Sequence, residues 1–315
     1  MCGGYGSHAM GTERAIGVDV GGTSIRAGVV GRDGVVDRRA KRATPLSSQD
    51  EMMAVLEETI EELLGDDVCG IGLGVPLIID PITRIAFHGT NLPVVELDLV
   101  GRLRARFGLP TAVDNDGNVA ALAEWALGAG KGTRDLVVLT LGTGVGGGLV
   151  IAGRPYHGWA EIGHIVIDAD GPPCQGTCHG RGHLEGLVSG TAADAVAERL
   201  YGVGADARVL LEHARSGEEA ARTEVERIGH LLGIGIGSLV NLFFPDRVVV
   251  GGGFGIAAGE LLLEAARSAV RREGVHPADR GVEIVNAALG EEAGLIGAAL
   301  LGFEAASTET AGHTS

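Results

Sequence analysis

Asp19-Val20-Gly21-Gly22-Thr23 lies between two short apolar runs, Ile16–Val18 and Ile25–Val30, and its reading decides the fold. β-formers on both sides of paired glycines predict a β-hairpin. Two glycines at the tip let backbone N–H groups approach an anion closely, and Thr23 adds a hydroxyl donor. Asp19 would repel a bare phosphate, so the pattern implies a bridging hard cation such as Mg²⁺. The plainer alternative is a tight turn whose Asp accepts local backbone hydrogen bonds.

A second glycine-rich turn has the same setting. Asp135–Leu141 reads as a strand, runs into Gly142-Thr143-Gly144-Val145-Gly146-Gly147-Gly148, and continues as Leu149–Ile151. Gly142, Gly144 and Gly147 satisfy a dinucleotide-type spacing, but that fingerprint must open a helix. Here β-formers follow, so the turn joins two strands and the dinucleotide reading fails. A third cluster, Gly251-Gly252-Gly253, follows Val248–Val250 and precedes a helical pattern over Ile256–Arg272. It is suited either to pass beneath a nucleotide or simply to make a tight crossover.

Composition agrees with an α/β protein. The 315 residues suffice for two modest domains, and 54 glycines with only 3% aromatic residues fit close helix–sheet packing and many turns. A formal net charge of −16 argues against a nucleic-acid partner, which needs a basic face, and gives no support to attachment at an anionic membrane. No apolar run approaches the ~20 residues of a membrane span, and the N-terminus lacks a signal-peptide core. Residues 1–12 read as a flexible lead-in, with Gly6–Met10 resembling a cloning remnant and Met10 a candidate native start; residues 304–315 read as a disordered tail.

Strands are expected at Ile16–Val18, Ile25–Val30, Val35–Arg39, Ile71–Val75, Thr111–Val113, Arg247–Val250 and Val282–Asn286. Helices are expected over Ser48–Leu64, Leu97–Phe107, Val119–Leu127, Glu218–Leu242 and Glu291–Phe303. Gly229, Gly233 and Gly237 form a stripe in the long one. Each costs ~1 kcal/mol against alanine, so a neighbouring element should approach closely there.

Cys2 and Cys69 are isolated, whereas Cys174 and Cys178 form C-x₃-C with His179 and His183 close behind and His164 ten residues upstream. In a reducing compartment this spacing suggests metal rather than a disulfide. Two thiolates and imidazoles suit tetrahedral Zn²⁺. Asp114-Asn115-Asp116 sits where a strand should give way to a helix, and locally Asp116 reads as the helix N-cap.

The chain resembles the ROK family of sugar kinases, most like the bacterial glucokinases, over Ile16–Phe303. The motifs that carry the resemblance are Asp19–Thr23, Asn91-Leu92-Pro93, Val113–Asn118, Leu141–Gly148, Glu161-Ile162-Gly163-His164 and the Cys174–Glu185 segment. It implies a two-domain α/β fold of the actin/hexokinase-like ATPase (ribonuclease H-like) class with a cleft between domains. The smaller domain would span 13–116, completed by the helix 291–303, and the larger 117–290. It implies ATP with Mg²⁺ as phosphoryl donor, held by Asp19, Gly21, Gly22, Thr23, Gly142, Thr143, Gly144, Gly252 and Gly253. It reverses the local reading of Asp116, which becomes the general base, with Asn115 touching the sugar and Asp114 structural. Asn91, Glu161, His164 and Glu185 become further sugar ligands. Structural Zn²⁺ would be held by His164, Cys174, Cys178 and His183, with His179 competing; the family's usual third cysteine is His183 here. The implied reaction is glucose to glucose 6-phosphate in the cytoplasm, by a homodimer or homotetramer. Mannose, fructose and N-acetylmannosamine are alternative acceptors, and a non-catalytic sugar sensor an alternative role. Ser24 stands where the family often has Lys, which leaves room for polyphosphate as donor.

Overall fold

The computed structural model describes residues 13–312 apart from 88, 90, 91, 177 and 278–280. The readings for residues 1–12, Asn91 and residues 313–315 therefore lie outside the described residues. Three antiparallel strands come first: β1 (Arg14–Val20), β2 (Ser24–Gly31) and β3 (Val36–Ala43). Helix α1 (Gln49–Glu61) leads to β4 (Val68–Val75), then α2 (Leu99–Phe107) to β5 (Thr111–Asn115), both parallel to β1. The sheet order is β3-β2-β1-β4-β5.

Helix α3 (Asp116–Ala126) then enters a second sheet built from β6 (Leu136–Leu141), β7 (Val145–Ile151), β8 (Arg154–Pro155), β9 (Arg247–Gly251) and β10 (Glu283–Asn286). Its order, β10-β9-β6-β7-β8, repeats the first sheet strand for strand: an antiparallel meander with two parallel strands added beside its first member. The glycine turns at 21–22 and 142–144 therefore occupy equivalent tips. Between β8 and β9 come α4 (Leu184–Val188), α5 (Gly190–Tyr201), α6 (Ala207–Ser216) and α7 (Glu219–Phe243). After β9 come α8 (Gly253–Ala258), α9 (Glu260–Glu273) and, last, α10 (Ala293–Gly312).

Each sheet buries both faces. One face of the first packs on α1 and α2 through Leu56, Ile60, Leu99 and Leu103. The other takes α10, which approaches so closely that a Cβ on Gly72 would lie 1.7 Å from the Ala298 carbonyl oxygen. Helices α3 and α10 meet through Val119, Leu122 and Leu301, and α3 covers the second sheet through Ala121, Val138 and Val249. The two helices thus sit between the sheets, and the glycine tips open above them. The expected close neighbour of the α7 stripe is α9: a Cβ on Gly233 would stand 2.4 Å from the Ala266 carbonyl oxygen.

Three expectations need correction. Helix α3 begins at Asp116 rather than Val119, because Asn115 supplies the cap. The run expected over Ile256–Arg272 is two helices, broken at Gly259, whose φ of +55° cannot continue an α-helix. Helix α10 continues past Phe303 to Gly312, so residues 304–312, expected to be disordered, are helical. Ser307 and Thr308 return their hydroxyls to the carbonyls of Phe303 and Glu304, and Glu309 pairs with Arg104 of α2 at 2.6 Å. The short helices α4, α5 and α6 carry no expectation from the sequence.

Candidate active site

The end of β5 and the start of α3 concentrate the chemistry. Asn115 is the N-cap: its Oδ1 accepts the Gly117 N–H at 2.8 Å, while its amide donates to the Leu77 carbonyl at 3.4 Å. Capping thus falls to Asn115, with Asp116 adding a second acceptor for the same N–H at 2.9 Å. Asp116 is exposed to solvent, at a point reached by the charge of Asp19 from the first half and of Glu161 from the second. Partial desolvation, then those two negative charges, push its pKa up to about 6. That is a range in which a carboxylate can accept and release a proton near neutrality.

Asp114 has a different task. It is almost fully buried and accepts from His157 Nδ1 at 2.7 Å, from the Asn118 amide at 3.0 Å and from the Asn115 N–H at 2.8 Å. Burial alone would raise its pKa; the His157 and Asn118 bonds, with Arg84 nearby, outweigh it and hold the carboxyl below its ordinary value. The same pairing raises the pKa of His157. Asn118 also donates to the Gly158 carbonyl at 3.3 Å, and the Trp159 indole N–H donates to the Ile79 carbonyl at 3.0 Å. Residues 157–159 are thereby tied to β5, α3 and the first-sheet half just before Glu161. Leu77–Ile79, Asp114, Asn115, Asn118 and His157–Glu161 line one narrow crevice of about 10 Å³.

Glu161 opens a short turn, Ile162–His164, that leads to a cluster of sulfur and nitrogen donors. One ligand atom from each of His164, Cys174, Cys178 and His183 lies within 4.8 Å of the others. His164 Nδ1 is 3.2 Å from His183 Nδ1 and 3.6 Å from Cys174 Sγ; Cys178 Sγ is 3.5 Å from His183 Nδ1. His179 is not part of this group. Two thiols and two imidazoles converging on one point fit the donor set and coordination number of zinc. Glu185, in the first turn of α4, accepts the Val145 N–H at 2.9 Å and lies directly behind Gly144. Gln175 bonds Ser189 Oγ at 2.7 Å, fastening the same loop to the start of α5.

On the other wall, Gly21 and Gly22 are half-buried and Thr23 is exposed at the β1–β2 tip, and Gly142–Gly144 form the β6–β7 tip. Gly252, with φ +78°, passes so close to the second tip that a Cβ would stand 2.4 Å from the Leu141 carbonyl oxygen, and Gly253 opens α8. Asp19 forms an ion pair with Arg26, its antiparallel neighbour in register on β2, and lies beside Gly294 at the start of α10. The sequence reading left Arg26, His157 and Trp159 without a role. Arg26 was visible only as a cation two residues past Ser24, and Trp159 as one of two tryptophans. A hollow of about 530 Å³ lies beside β10, away from all these groups. Its arginines are already engaged, Arg247 with Glu283 and Arg267 with Glu260.

The sequence pattern of the ROK family matches residues 15–304. The chain belongs to the ROK family. It is 33% identical to a glucokinase of Halalkalibacterium halodurans over 90% of this chain and 92% of that protein. It is 32% identical to an N-acetylmannosamine kinase of Shigella boydii over 90% of this chain and 96% of that one. The crystal structure of a ROK family glucokinase from Streptomyces griseus, in complex with glucose and AMPPNP, aligns with a TM-score of 0.78 at 32% identity, covering 92% of this chain and 99% of that one. The fold is accordingly the two-domain actin/hexokinase-like ATPase fold, and this ROK member is a sugar kinase of the glucokinase type. Among the described residues no helix is long and apolar enough to cross a membrane.

Proposed function

We propose that the protein transfers the γ-phosphoryl group of ATP to glucose, forming glucose 6-phosphate, with Asp116 as general base. The observation that carries this reading is the division of labour at the α3 N-terminus. Asn115 supplies the cap, and Asp116 is left exposed to solvent with its pKa pushed up to about 6. Asp116 accepts the proton of the attacking sugar hydroxyl as the oxygen bonds to phosphorus. Glu161 and the Asn115 amide meet neighbouring hydroxyls, and Glu185 and His164 complete the sugar's polar rim. Buried polar groups of this kind reject analogues lacking the partner hydroxyl.

The glycine tips at 21–23 and 142–144, with Gly252 and Gly253, present backbone to the nucleotide phosphates. Mg²⁺ would take the Asp19 carboxylate and, when bound, neutralise charge on the phosphates. Zn²⁺ held by His164, Cys174, Cys178 and His183 would be structural, fixing the loop that carries Glu185 and the turn that follows Glu161. The N-acetylmannosamine kinase among the relatives supports a second reading, in which an amino sugar or another hexose is the acceptor. A coupled ADP-release assay over glucose, mannose, fructose and N-acetylmannosamine, with ATP and polyphosphate as donors, decides between them. Glucose with ATP should give the highest kcat/KM; a clear preference for N-acetylmannosamine would install the second reading.

A further inference from the structure

We infer that Trp159 is a specificity-determining residue whose indole face stacks on the apolar face of the sugar acceptor; this rests on the reading that a hexose binds beside Asn115 and Glu161, at the outer edge of the crevice they line. Trp159 lines that crevice together with both residues. Its side chain is 61% exposed, in a chain with only two tryptophans. The other, Trp125, packs against the second-sheet core with its N–H on the Thr133 carbonyl. An exposed indole at the edge of a polar crevice therefore needs a use.

The ring is also held in place before any ligand arrives. Its N–H donates to the Ile79 carbonyl at 3.0 Å. The backbone just before it is fixed by His157 on Asp114 and by Asn118 on the Gly158 carbonyl. A side chain fixed at its polar end and bare on its apolar body is pre-organised for contact, so little freedom is lost on binding. A pyranose supplies the complement: hydroxyls around its rim and a patch of C–H groups on its face. The carboxylates and amides of this site can satisfy only the rim. Ile78, on the opposite half and lining the same crevice, extends the apolar surface.

The competing use of Trp159 is as a strap, its N–H joining the second half to Ile79 of the first. Ring and N–H can be separated. In the full chain carrying Trp125→Phe, Trp159 is the sole tryptophan, and glucose should change its emission saturably. Trp159→Ala should raise the KM for glucose about tenfold or more, with kcat and the KM for Mg·ATP within about threefold of wild type. Trp159→Phe, which keeps an apolar ring and loses the N–H, should recover the sugar KM to within about threefold. A Phe variant as impaired as the Ala variant would assign the residue to the strap and overturn the proposal. So would an unchanged sugar KM in Trp159→Ala. If hexoses alter the emission but none is phosphorylated, the kinase reading fails and the platform stands. If glucose is phosphorylated while the emission stays silent, the kinase reading stands and the platform is overturned.

Discussion

The two walls of the cleft are made of different material. The wall proposed to take the nucleotide is main chain: glycine tips at Gly21–Gly22 and Gly142–Gly144, with Gly252 pressed against Leu141. The wall proposed to take the sugar is side chain, and its groups hold one another. Asp114 takes His157, Glu185 takes the Val145 N–H, and His164 sits among Cys174, Cys178 and His183. The contrast teaches what each ligand demands. Phosphates are met by any backbone that approaches closely, so the requirement is an absent Cβ. A sugar is distinguished by the pattern of its hydroxyls, so the requirement is a set of polar groups in fixed orientation. Glu185 links the two walls, since it lies behind Gly144 while it bonds Val145.

The sharpest test of the side-chain wall is Asp116→Ala. Loss of a general base costs about 10²–10⁴ in kcat, and the KM for both substrates should change little because the base acts in the transition state. Steady-state kinetics over pH refine the same point. For wild type, kcat/KM should rise with pH through about 6, the value to which the site pushes Asp116, and then level off. A folded Asp116→Ala variant retaining more than about a tenth of wild-type kcat would remove Asp116 from the chemistry.

Next in size is the metal cluster. Cys178→Ser should lose zinc in elemental analysis, lower Tm and raise the sugar KM about tenfold or more, while nucleotide affinity survives. His183→Cys should keep the metal, because thiolate is an equally suitable ligand. If nucleotide affinity fell as far as sugar affinity, the walls would not be separable, and the Glu185–Val145 bond would be the connection. Gly252→Ala probes the opposite wall. Its φ of +78° and the 2.4 Å approach to Leu141 leave no room for a methyl group. The KM for Mg·ATP should rise by about one order of magnitude with the sugar KM unmoved.

The two walls also differed in how far they could be read beforehand. The glycine tips announced themselves locally, because β-formers on both sides of paired glycines leave few alternatives to a hairpin. The repeated hairpin was legible from the same pattern occurring twice; the strand order around each was not. Each sugar-wall residue was ambiguous alone: Asp116 read as a helix cap until the resemblance was taken into account. The structure assigns that cap to Asn115 and assembles the four Cys and His side chains from positions four to nineteen apart. The Asp114–His157 bond and the Trp159 N–H on Ile79 were illegible, because they join residues 43 and 80 positions apart. No local signal encodes which distant partner a polar group will meet. Arg26 was assigned no partner in advance, although its register opposite Asp19 follows from the hairpin itself.

The smallest expected effect separates function from stability on the side-chain wall. Asp116 has an ordinary pKa of 3.8 that the folded site raises to about 6. The folded state therefore binds its proton more tightly than the unfolded chain does. The associated stabilisation is fully present below 3.8 and is lost as pH rises through about 6. Above that pH the wild-type protein carries a disfavoured charge that Asp116→Asn would remove. The Asn variant should melt together with wild type near pH 4 and above it at pH 8, by about 1–3 °C, the carboxylate being open enough to solvent to screen much of the cost. A kinase-dead variant that gains stability only on the alkaline side would show that the cleft maintains Asp116 against its own electrostatics. The backbone wall should show no counterpart, because glycine carries no proton: a pH-independent Tm difference is expected for Gly252→Ala. Equal melting of wild type and Asp116→Asn at both pH values would mean that solvent relieves the carboxylate completely, and the acidic limb of the rate profile would then belong to another group.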